Sequence, residues 1–111
     1  ESDFGVDYRI DTPEELAAAF KAGHDLGMKS GMLVTNPIPE EYAMPKATID
    51  AAIAQAIDEC NAKGIKGKET TPFLLARVSE LTGGNSLASN IQLVFNNAKV
   101  AAQTAVAYCK L

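Results

Sequence analysis

Asparagines, hydroxyls and glycines are the residues of this chain whose types and spacing could do chemistry. Asn90 lies a few residues into the last helical stretch, where its helix propensity is low. Its carboxamide offers an amide donor and a carbonyl acceptor, the pair a pyrimidine edge needs. The plainer reading is that Asn90 ties down the preceding Gly83-Gly84 turn, and spacing alone favours that reading. Asn97 falls one heptad on from Asn90 and so on a similar face, next to Asn96. Thr70-Thr71-Pro72-Phe73 puts hydroxyls and free amide groups at a helix start, which suits an anion such as a sugar phosphate, although capping alone explains such a start more often than not. Gly83-Gly84-Asn85-Ser86 could cradle phosphate too, but it lacks the lysine and the spacing of a Walker loop.

The acids, bases and nucleophiles form no such pattern. Asn36-Pro37-Ile38-Pro39-Glu40-Glu41 follows an expected strand end, where α/β proteins build sites, and its two prolines stiffen the loop. Adjacent carboxylates in a loop are usually solvated, so Glu40 and Glu41 are assigned no acid or base role. His24 is the single histidine and reads as a surface or interface residue. No Ser/His/Asp or Cys/His set and no zinc-like spacing stands out. The sequence shows no self-sufficient catalytic apparatus and no metal ligands.

Composition narrows the class. A chain of 111 residues is one domain or less, and such a chain buries about 60 to 70% of its unfolded surface. With 47% apolar and 22% charged residues of both signs, it reads as globular. Ten basic against 14 acidic residues give a net charge of -4, with no basic run to neutralise consecutive phosphates, so nucleic-acid binding is not expected. Cys60 and Cys109 are isolated, which points to a reducing, cytoplasmic compartment. No apolar run reaches the roughly 18 residues needed to span a bilayer, and no leader opens the chain, so a soluble protein with no membrane partner is expected. The start at Glu1 without Met suggests a cut within a longer polypeptide.

The elements that must position these residues follow from local signals. Residues 6–10 form a short β-like run. Thr12-Pro13-Glu14-Glu15 is a helix start, predicting a helix over 13–26 that ends at Gly27. The apolar triplet 32–34 between Gly31 and Asn36-Pro37 reads as a buried strand. From Pro45, the apolar positions Ile49, Ala52, Ile53, Ala56, Ile57 and Cys60 recur at three and four, predicting an amphipathic helix closed by Gly64. Thr71-Pro72 opens a helix over 73–81 that Gly83-Gly84 stops, and Ser86 is the expected cap of a last helix over 87–110. No repeat, low-complexity tract or long linker interrupts the chain, so 1–111 reads as a single unit. The expected architecture is α/β, about two short strands and four helices, whose strands need partners from elsewhere.

Two ordered stretches carry a family resemblance. Gly64-Ile65-Lys66-Gly67-Lys68-Glu69-Thr70-Thr71-Pro72-Phe73-Leu74-Leu75, followed by Glu80-Leu81-Thr82-Gly83-Gly84-Asn85-Ser86-Leu87, Asn90 and Asn96-Asn97-Ala98, resembles the C-terminal part of the pseudouridine-5'-phosphate glycosidases, the indigoidine synthase A-like family. The segment 31–41 matches a second signature of that family upstream. Glu1-Ser2 resembles the tail of the family segment that precedes the 6–10 run.

The resemblance implies that the intact protein reversibly cleaves the carbon-carbon glycosidic bond of pseudouridine 5'-phosphate, giving uracil and ribose 5-phosphate. It implies a Schiff-base lysine, proton-moving acids, manganese or another divalent metal, and a homotrimer with a three-layer α/β/α sandwich of which this chain supplies the C-terminal portion. A C-glycoside has no protonatable leaving nitrogen, and ring opening with iminium formation supplies the electron sink instead. By the same resemblance Asn90 belongs to the base pocket, and Asn36, Thr71, Ser86 and Asn97 are expected at its border. The resemblance places no catalytic residue and no metal ligand in these 111 residues; Lys29, Lys46, Lys66 and Lys68 match no Schiff-base motif, and the N-terminal portion of the enzyme is an implied partner. The alternatives are a stand-alone, non-catalytic scaffolding or interaction domain, and a family member that acts on another glycoside. A segment of a larger domain should leave wide apolar faces uncovered, whereas a stand-alone domain should cover them.

Overall fold

The computed structural model describes residues 4–111, so Glu1 and Ser2 lie outside the described residues. It has four helices, α1 (Pro13–Asp25), α2 (Lys46–Ala62), α3 (Thr70–Leu81) and α4 (Asn85–Cys109), and short 3₁₀ turns at Glu40–Tyr42 and Gly67–Glu69. Two compact units emerge: the chain up to Pro37 together with Val94–Leu111, and the continuous stretch Ile38–Leu93.

The four helices lie where the sequence puts them, but the α/β architecture does not hold, because there is no strand among the described residues. Residues 6–10 and 32–34 run without regular structure, and Tyr8 and Leu33 are 87% and 92% exposed, so 32–34 is not a buried strand either. The reason is physical: a strand exists by pairing its N–H and C=O groups with a neighbour's. Neither run meets such a neighbour among the described residues. A short apolar run shows an extended tendency without showing what it pairs with.

In the first unit, α1 begins as its sequence dictates. The Thr12 hydroxyl accepts from the Glu15 amide at 3.1 Å, while the Glu15 carboxylate accepts from the Asp11 amide at 3.1 Å, one residue before the usual capping-box partner. The helix ends in a Schellman turn, with Gly27 N–H donating to the His24 carbonyl and Met28 N–H to that of Gly23. Phe20 stands edge-on to His24 at 5.0 Å and to Tyr108 at 5.8 Å, joining α1 to the last turns of α4. Ala17 is the fully buried position of α1.

In the second unit, α2 packs on α3. Ala52, Ala56 and Cys60, four residues apart along one stripe of α2, are its buried residues, and such small side chains permit close helix approach. The 3₁₀ turn Gly67–Glu69 runs directly into α3, which therefore starts at Thr70, three residues before the predicted position and without a side-chain cap. Gly83 and Gly84 both have positive φ, 63° and 87°, the backbone region that admits glycine without steric cost. That conformation lets their N–H groups close α3 onto the Glu80 and Ser79 carbonyls.

The cap of α4 differs from expectation. Ser86 does not cap it. Instead the Thr82 hydroxyl accepts from the Ser86 amide at 3.1 Å and donates to the Val78 carbonyl at 2.8 Å, while the Thr82 carbonyl accepts from the Asn85 amide. The Gly-Gly turn brings the end of α3 within reach of the α4 amides, so a residue in the preceding helix's C-cap position supplies the oxygen. Thr82→Ala in the intact protein is expected to lower the unfolding free energy by about 1 kcal/mol, the usual worth of an N-cap, and Thr82→Ser to restore most of it. Urea titrations followed by circular dichroism would show this, and equal midpoints for wild type and T82A would remove Thr82 from the joint.

Candidate functional site

Helix α4 carries the asparagines that the sequence singles out. Asn90, in its second turn, is half-buried, and its carboxamide bonds to no other described residue. The Gly83-Gly84 turn is held by its own amides and by Thr82, not by Asn90. The plainer role for Asn90 is thus already filled, and both ends of its amide stay available.

Thr71 and Ser86 also belong to the second unit. Thr71 is exposed in the first turn of α3, and Ser86 is half-buried in the first turn of α4 with its amide committed to Thr82. The 3₁₀ turn Glu40–Tyr42 leaves the Glu40 and Glu41 carboxylates exposed, and the Ser89 hydroxyl donates to the Tyr42 carbonyl at 2.8 Å, fixing that turn to α4.

In the first unit, two of the expected border residues meet. Asn36 Nδ2 donates to Asn97 Oδ1 at 3.0 Å across 61 positions of sequence. Beside it Asn96 Nδ2 reaches the Pro37 carbonyl at 3.4 Å, a long bond.

Three features escaped the sequence reading. Thr82 stands four residues before Ser86, and a threonine at that distance from a helix start was a signal open to use. Ser89 offers none, because its partner is a backbone carbonyl 47 positions away. The third is an ion-pair cluster between α2 and α3. Arg77 donates through Nε and Nη2 to the two oxygens of Glu59, a bidentate pair, and through Nη1 to Glu80 at 2.8 Å. Arg77 and Glu80 are one turn apart on α3, but nothing local pairs Arg77 with Glu59.

A shallow groove of about 370 Å³ lies along this cluster, lined by Glu59, Lys63, Phe73, Ala76, Arg77 and Glu80. Its two cations and two carboxylates balance. Lys63 Nζ sits 5.2 Å from the centre of the Phe73 ring, a cation-π distance. Three of the five Arg77 N–H donors are committed to carboxylates.

The Arg77 guanidinium, aided by a hydrogen bond from Gln55, holds the Glu59 carboxyl well below its ordinary 4.5, at about 2, against the opposing effect of desolvation. A carboxylate whose folded value lies below its unfolded one contributes stability above the unfolded value and loses it as pH falls towards the folded one. Glu59→Gln is therefore expected to destabilise the protein by its full amount well above pH 4.5, with the gap shrinking as pH falls from 4.5 through about 2. Acid-unfolding curves of the two proteins check this, and a gap of undiminished size between pH 4.5 and pH 2 contradicts the assignment.

Among the described residues no three His, Cys, Asp or Glu side chains converge as a metal site would require, and no helix is long and apolar enough to cross a membrane.

These features belong to a known class. The family model described as indigoidine synthase A like protein matches residues 1–107, and the chain belongs to that family. It is 56% identical over 108 residues to a pseudouridine-5'-phosphate glycosidase of Hahella chejuensis and 56% identical over 110 residues to that of Escherichia coli K12, covering 97% and 99% of this chain. A Clostridium botulinum protein of the same name is 59% identical over 110 residues. The chain spans only 35–36% of the length of these curated relatives. Among solved structures it is similar to the prealnumycin C-glycosynthase AlnA in complex with ribulose 5-phosphate, with a TM-score of 0.80 and 30% identity over 97% of this chain and 35% of that one.

Proposed function

We propose that this chain is the C-terminal segment of a pseudouridine-5'-phosphate glycosidase, and that the intact polypeptide reversibly cleaves the C–C glycosidic bond to give uracil and ribose 5-phosphate. The observation that carries the proposal is 56–59% identity to glycosidases of that name along almost all of the chain. The C-glycosynthase, at 30%, is the more distant relation, which favours pseudouridine 5'-phosphate over another glycoside.

Burial supports the same reading. Among the described residues the buried apolar ones are Ala17, Ala52, Ala56 and Cys60, while Leu87, Ile91, Val94 and Phe95 on α4 are each more than two-fifths exposed. Apolar surface on that scale calls for cover from further protein, and a stand-alone interaction domain would hide more of it. The remaining part of the enzyme is the proposed cover, in a cytoplasmic homotrimer.

In this proposal Asn90 reads the base. Its Oδ1 accepts from the uracil imide N–H and its Nδ2 donates to an adjacent carbonyl, so the ring is held in one orientation. Asn36, Thr71, Ser86 and Asn97 are proposed border residues and take no part in bond making. The Schiff-base lysine and the proton-moving acids are assigned to the rest of the polypeptide. The family's manganese does not fit the described residues, which bring no ligand set together.

Asn90→Ala in the intact enzyme is expected to raise KM for uracil in the synthetic direction by about tenfold, as loss of a paired hydrogen bond would, while KM for ribose 5-phosphate stays within about twofold. Steady-state kinetics with each substrate varied in turn decide it. Unchanged use of uracil would take Asn90 out of the base pocket.

A further inference from the structure

We draw no further inference here: the strongest candidate, the shallow groove between α2 and α3 along Glu59, Lys63, Phe73 and Arg77, carries nothing because its two cations and two carboxylates balance one another and nothing in the structure shows what covers it.

Discussion

Scarcity of buried apolar surface governs this chain. Folding must offset about 1–2 kcal/mol of backbone entropy for each residue ordered, and proteins ordinarily do so by burying large apolar side chains. Among the described residues the buried positions are three alanines and a cysteine, and Phe4, Leu33, Phe95 and Val106 are largely open to solvent. Order therefore leans on local devices: capped helix starts, Schellman turns and i,i+4 pairs such as Lys21–Asp25. Devices of this kind shape helices well, but each contributes only a few tenths to about one kcal/mol. The chain leaves these apolar faces open, and it spans about a third of its relatives' length.

Within that constraint the second unit is organised around two polar joints. Small residues on α2 let α3 pack on it, and the bidentate Arg77–Glu59 pair sets their register. Thr82 then passes the chain from α3 to α4 through one hydroxyl that accepts on one side and donates on the other. The consequence for the site is direct. Because Thr82 and the two glycines hold the turn, Asn90 is not consumed in holding it. A structural task done by one residue leaves a neighbouring amide available for a ligand.

The first unit shows the complementary case, a polar contact assembled from distant positions. Asn36 and Asn97 both stood out as polar residues in family-like motifs, yet neither motif states that they touch. Their side chains meet across 61 positions of sequence. The same holds for Ser89 and Tyr42 in the other unit, where a side chain on α4 anchors a 3₁₀ turn.

How much was legible in the sequence depends on the range of each interaction. The ends of α1 and α2 were determined by the sequence alone, because Thr12, Gly27 and Gly64 act on amides and carbonyls within five residues. The starts of α3 and α4 were read a few residues late, since a 3₁₀ lead-in and a cap from the preceding helix are set by how the turns stack. Family membership was also legible, because the order and spacing of motifs along the chain survive without knowledge of the fold. Only the tertiary structure decided that 6–10 and 32–34 remain unpaired, that Arg77 meets Glu59, and that Asn36 meets Asn97. Pairing a strand, an ion or an amide across 18 or 61 positions depends on which surfaces the folded chain brings together, and no local pattern of side chains encodes that.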